Sequence, residues 1–107
     1  MALFVYMTAA SKAEAERIAD ELVRERLAAC VNILSPMRSV YLWKGEICNS
    51  EEIPLIAKTD DDRFDALAAR VRELHSYETP CIVALPLARG TSDFLAWITE
   101  STRPTEE

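Results

Sequence analysis

The sequence predicts an α+β domain of the ferredoxin-like type: a four-stranded antiparallel sheet with two helices on one face. The order is βαββαβ, with a long hairpin between strands 2 and 3 and a short C-terminal helix. Three observations lead there. Short apolar segments rich in β-branched and aromatic residues alternate with two longer segments of helical period. The second and third strand-like segments follow each other with no helix between them. A chain of 107 residues buries one core and not two, so residues 1–107 read as a single domain.

Residues 3–8 are apolar on both faces, which predicts a central first strand. Ser11-Lys12-Ala13-Glu14 then matches a capping box, and Ala15, Ile18, Ala19, Leu22 and Val23 continue one apolar stripe to about Leu27. The opposite face, from Glu14 and Glu16 to Arg24 and Glu25, reads as solvated surface. Residues 30–34 form the next strand, which bends at Ser35-Pro36 and resumes over 39–43. Lys44-Gly45 supplies a hairpin turn, and a further strand spans about 53–59, with Pro54 expected at a sheet edge or outside the ladder.

Asp60-Asp61-Asp62 suits a helix N-terminus, where carboxylates cap amides and oppose the dipole. No Asp or Gly follows at calcium-loop spacing, so capping is the reading kept. Phe64, Leu67, Ala68, Val71, Leu74 and His75 mark the buried stripe of a second helix. Residues 81–87, between Pro80 and Pro86, form the last main strand. Thr91 or Ser92 caps a closing helix with Phe94, Leu95 and Ile98 inward, and a polar, frayed tail is expected from about Thr102.

Charge narrows the functions. Twelve Lys+Arg against 18 Asp+Glu give −6, which excludes a chain that grips nucleic acid by neutralising phosphates. No apolar run approaches the ~20 residues of a membrane-spanning helix. The N-terminal run is short and lacks a preceding positive charge, so it is not an export signal and the expected address is cytoplasmic. Cys30, Cys48 and Cys81 are odd in number with no Cys-x-x-Cys pair, a poor framework for disulfides or a zinc knuckle. Two glycines cannot build a phosphate-binding loop of either common kind. The hairpin region, roughly 30–59, is longer than a strand pair needs. Its edges carry Tyr41, Leu42, Trp43 and Ile47, and a symmetric oligomer is the economical cover for them.

His75 is the only histidine. At a helix C-terminus its ordinary role is a partly buried, hydrogen-bonded group; its functional role is a metal ligand or an acid–base group. Cys30 and Cys81 are small buried hydrophobes in the ordinary reading and soft ligands in the functional one. Thiolate with imidazole selects copper or zinc, and a ring of subunits would bring His75 and Cys81 to donors from a neighbour. A Cys–His nucleophilic pair needs an orienting group and an oxyanion cradle that the sequence does not identify, so no enzyme is expected. Lys58 ends an apolar strand and is expected to pair with Glu52 or Glu78 or to face an anionic ligand. Tyr41, Trp43, Tyr77 and Trp97 read as core or interface residues, with Trp43, Tyr77 and Glu78 as candidates to face a cleft.

Five runs taken together carry a family likeness. They are Leu27-Ala28-Ala29-Cys30-Val31-Asn32, Ser39-x-Tyr41-x-Trp43-x-Gly45-x-Ile47, Lys58-Thr59, Leu74-His75-x-Tyr77-x-x-Pro80 and Leu95-x-Trp97. In this order and spacing, over about residues 3–98, the chain resembles the CutA family of divalent-cation tolerance proteins. The resemblance implies a ferredoxin-like subunit in a tight homotrimer, with hairpins pairing between subunits. It also implies tolerance of copper and other divalent metals, with no required cofactor and a copper or zinc ion as the candidate ligand. The family commonly reads His-Pro-Tyr-Glu-x-Pro-Glu where this chain has His75-Ser76-Tyr77-Glu78-Thr79-Pro80-Cys81. Cys81 thus replaces a carboxylate that is a candidate ligand in relatives, which makes any site there softer. The alternative reading is an interaction trimer built like the PII nitrogen regulators, binding a small molecule or a protein at subunit clefts. Its long flexible loop is not matched by the Trp- and Tyr-rich segment 37–49.

Overall fold

The computed structural model describes residues 1–104. The elements are β1 (Ala2–Ala9), α1 (Lys12–Arg24), β2 (Cys30–Ile33), β3 (Met37–Trp43), β4 (Glu46–Asp60), α2 (Phe64–Leu74), β5 (Ile82–Pro86) and α3 (Ser92–Ser101), with a 3-10 turn at Asp61–Arg63 before α2. The sheet order is β2-β4-β1-β5, and all pairings are antiparallel. The predicted α+β architecture is therefore present, with the second strand delivered in two pieces. Among the described residues no helix is long and apolar enough to cross a membrane.

Strand alternation decides which face is covered. Leu3, Val5 and Met7 of β1 lie opposite Thr59, Ala57 and Leu55 of β4, and all six are buried. Ile18 and Leu22 from α1, with Leu67 and Val71 from α2, complete this core. The other face shows Phe4 and Tyr6 of β1 opposite Leu85 and Val83 of β5, whose exposures are 65% and 56%. That face is apolar and bare in one chain.

β4 is one strand of 15 residues, not a strand beginning near Ile53. Its first half pairs with β3 from Trp43↔Glu46 to Met37↔Glu52, and its second half with β1 from Ala9↔Ile53 to Ala2↔Asp60. Pro54 therefore sits inside the ladder, against expectation. Its carbonyl accepts a hydrogen bond from the Leu34 amide at 2.9 Å. The N–H and C=O of a strand residue point to the same side, so the missing donor faces the break between β2 and β3 rather than β1. The hairpin closes through Lys44 and Gly45, both at positive φ (50° and 82°), as a two-residue turn with left-handed centres requires.

Two further expectations change. Phe94 points outward beside Trp97, with ring centroids 5.4 Å apart, and Ile98 alone of α3 is buried. Thr102 is fully buried, and its hydroxyl donates to the Ile98 carbonyl at 2.8 Å. Arg103 makes two hydrogen bonds to Asp62, at 2.8 and 2.7 Å. Thr102 and Arg103 are therefore anchored, against the fraying expected from about Thr102, and residues 105–107 lie outside the described residues.

Asp60 ties three elements together at this end. It receives hydrogen bonds from the Met1 ammonium, the Asp61 amide and the Thr99 hydroxyl. Burial alone would raise its carboxyl, but these donors together hold it below the usual carboxylate range. A depressed folded-state pKa contributes stability above the unfolded value, which is lost as pH falls through the folded one. Asp60→Asn is therefore expected to destabilise the protein near neutrality. The gap from the parent should close as pH drops below ~4, in urea melts taken from pH 7 to pH 2.

Candidate functional site

The chain leaves α2 at His75 and returns to the sheet through residues 75–81. The His75 side chain is fully buried, with both ring nitrogens engaged. Nε2 lies 2.7 Å from the Thr8 carbonyl oxygen, and Nδ1 lies 3.0 Å from the Tyr77 amide nitrogen. A carbonyl only accepts and an amide only donates, so these partners place the proton on Nε2 and the lone pair on Nδ1. Beside the ring, Glu14 receives hydrogen bonds from the Ala10 and Ser76 amides, each at 3.1 Å. Glu14 is buried, not part of the solvated face of α1. Burial would raise its carboxyl, yet the Ala10 and Ser76 donors hold it lower.

This anchored loop and the root of the β3–β4 hairpin enclose a cleft of about 540 Å³. β3 contributes Ser39, Tyr41 and Trp43, which alternate along one face of the strand, and β4 contributes Glu52. The loop contributes Ser76 to Thr79 and then Cys81, and Thr8 closes the end of β1. Of the expected site residues, Trp43, Tyr77, Glu78 and Cys81 meet here. His75 stands behind them, its ring 4.7 Å from that of Tyr77.

Cys30 and Lys58 do not join them. They pair with each other across β2 and β4, at the other end of the sheet from Thr8. Across the strand order, β2 is three inter-strand steps from β5, about 14 Å in that direction alone. The Lys58 ammonium donates to Asn32. It does not pair with Glu52 or Glu78 as expected: Glu52 shares its face of β4 but lies six residues, roughly 20 Å, along the strand, beside the loop that carries Glu78. Glu78 instead meets Lys44, at 3.8 Å.

Glu52 is the residue that sequence reasoning placed wrongly. It is 8% exposed, and no cation pairs with it among the described residues. Burial first, and then a hydrogen bond to Glu52, push the Tyr77 hydroxyl up to about 12. Burial and then the Glu52 charge push the Cys81 thiol up as well. A signal did exist: a two-residue turn at Lys44-Gly45 fixes Trp43 opposite Glu46, and counting outward puts Glu52 on the face of Trp43 and Tyr41. Among the described residues no group of three or more His, Cys, Asp or Glu side chains could hold a metal ion. One chain therefore presents Cys81 and Glu52 without a complete coordination shell.

The family model described as CutA1 divalent ion tolerance protein matches residues 3–101. The divalent-cation tolerance protein CutA of Archaeoglobus fulgidus is 47% identical over 98 residues, covering 92% of this chain and 95% of that protein. Its counterpart from Thermus thermophilus is 46% identical over the same shares. Among solved structures, the Thermus thermophilus divalent cation tolerance protein superposes with a TM-score of 0.94 at 45% identity, over 96% of this chain and all of that one. The Archaeoglobus fulgidus protein, described there as periplasmic, gives 0.93 at 46% identity over the same shares.

Removing the imidazole leaves the Thr8 carbonyl and the Tyr77 amide without partners. His75→Ala is expected to cost about 2–4 kcal/mol, combining unmet hydrogen bonds with a cavity. Urea melts monitored by tryptophan fluorescence measure this; an unchanged midpoint would show that the ring does not anchor the loop.

Proposed function

The chain belongs to the CutA1 divalent ion tolerance family, and on that premise we propose that it works as a homotrimer that takes copper-class ions at the hairpin cleft. The observation that carries the reading is the Cys81 thiol beside the Glu52 carboxylate in one cleft, with no cation paired to that carboxylate among the described residues. A thiolate with a carboxylate is a softer pair than two carboxylates and favours copper, then zinc, over magnesium or calcium. The remaining donors come from an adjacent subunit. Cys81 is the donor that the geometry favours. His75 joins only by releasing Thr8 or Tyr77, and Cys30 only across a subunit boundary.

Two surfaces support assembly. The bare sheet face exposes Val83 and Leu85, and the outer face of the hairpin exposes Val40, Leu42 and Ile47 at 60%, 70% and 81%. Val40 and Leu42 alternate with Tyr41 and Trp43, so this second face points away from the cleft. Covering such edges with a copy of the chain removes their apolar area and open strand edges from water. The protein acts by binding rather than by catalysis, since its one imidazole is occupied and offers Cys81 no base. Three unpaired cysteines fit a cytoplasmic address.

Native mass spectrometry of freshly reduced protein, titrated with copper and zinc, tests the reading. The expected result is a trimer with a discrete number of copper ions, lost in Cys81→Ser. Since each chain carries a charge of −6, cations also gather diffusely, and a smear of adducts unchanged in Cys81→Ser would refute the site. For assembly, Ile47→Asp is expected to raise the concentration at which the trimer dissociates by about tenfold or more, roughly 1.4 kcal/mol. Sedimentation that shows an unchanged trimer on dilution would remove the hairpin's outer face from the interface.

A further inference from the structure

We propose that the same cleft is a receptor for a small alkylammonium ion, held between aromatic rings and carboxylates. This goes beyond the metal reading, because it uses the aromatic walls and Glu78, which a metal at Cys81 leaves idle.

Three independent observations point to this ligand class. The first is Glu52, a carboxylate more than nine-tenths buried, lining the cleft, with no cation paired to it among the described residues. The Tyr77 hydroxyl supplies it with a neutral hydrogen-bond partner but no opposite charge, and a bound cation would supply that charge. The second is the wall itself. Tyr41, Trp43 and Tyr77 present rings to the cavity, and no Lys or Arg lines it. Ring faces attract ammonium groups and also shelter an alkyl body, which a hydrated metal ion does not need. The cleft volume of about 540 Å³ falls within the range of small-molecule sites.

The third observation is that the chain already places an ammonium at the mouth. The Lys44 Nζ stands 5.5 Å from the Trp43 ring centroid and 3.8 Å from a Glu78 carboxylate oxygen. Both Trp43 and Glu78 line the cleft. The Lys44 side chain is 71% exposed and can swing into solvent, while its backbone is pinned in the left-handed turn. Lys44 is thus a tethered alkylammonium ion at the entrance, and it competes with any free one that enters. Thr8, Ser39, Ser76 and Thr79 also line the cleft, residue types whose hydroxyls accept N–H donors. Burial, and then the hydrogen bond to Glu52, push the Tyr77 hydroxyl up, so the cleft keeps this phenol as a neutral wall.

The test is calorimetry on the assembled, freshly reduced protein with 1,4-diaminobutane as the probe and 1,4-butanediol as its uncharged counterpart. The proposal expects saturable binding of the diamine and none of the diol. Lys44→Ala removes the tethered competitor and is expected to tighten binding about threefold or more, whereas Glu52→Gln weakens it about tenfold. Cys81→Ser is expected to leave diamine affinity unchanged while abolishing discrete copper uptake, so the two readings of the cleft fail separately. Equal binding of the diol, or displacement of the diamine by equimolar magnesium, would overturn the proposal. So would a Lys44→Ala protein with unchanged or weaker affinity. Lys44 is exposed and its removal leaves the fold intact, so this variant decides the matter even if Glu52→Gln fails to assemble.

Discussion

Strand β4 hydrogen-bonds to β3 along its first seven residues and to β1 along its last eight, with β2 on its other side over part of the second stretch. One register therefore orients almost every side chain that matters. A slip of one residue would exchange the two faces, sending Leu55 and Ala57 out of the core and Lys58 into it. The same slip would turn Glu52 away from the cleft. The handover from β3 to β1 falls between Glu52 and Ile53, beside Pro54, and there the hairpin leaves the sheet. The cleft exists because the strand runs on after changing partners.

A second constraint holds the far wall. Glu14 and His75 are remote in sequence, yet between them they bind the amides of Ala10, Ser76 and Tyr77 and the carbonyl of Thr8. Loops are usually the loosest part of a domain. This one is clamped at its first three residues to the start of α1 and the end of β1. Of the side chains that follow, Tyr77 and Cys81 consequently sit against a fixed hairpin root, while Glu78, 74% exposed, stands at the mouth of the cleft. In this arrangement His75 is a positioning residue, and the chemistry lies with the groups it helps to place.

Those groups share one electrostatic feature. Negative charge on Glu52, set among buried neighbours, keeps the Tyr77 hydroxyl and the Cys81 thiol protonated, with burial the larger influence on each. A cation entering the cleft meets carboxylates and neutral rings. An anion meets neither a Lys nor an Arg on the lining. Metal ions and alkylammonium ions are both favoured by this field, and the thiol at one end and the aromatic rings at the other distinguish them.

Much of the fold was legible in the sequence because its signals are local. The Ser11 cap, the α1 and α2 stripes and the Lys44-Gly45 turn depend on neighbours within a few residues, and each formed where the pattern put it, except that Val23 at the end of the α1 stripe is exposed. The family likeness was legible for the same reason, as short runs in order. Burial of charge was not legible. Glu14 looked like surface and Glu52 like a partner for Lys58, because helical or strand period assigns a face but not what packs against it. Pro54 looked like a strand end, since sequence does not tell which side of a strand lacks a neighbour. Periodicity and capping thus determined the elements; which acids were enclosed, and with which rings and thiol, was decided only when antiparallel pairing brought residues 8, 43, 52 and 77–81 together. That outcome follows from long-range register, in which every contact joins segments that the chain itself keeps far apart.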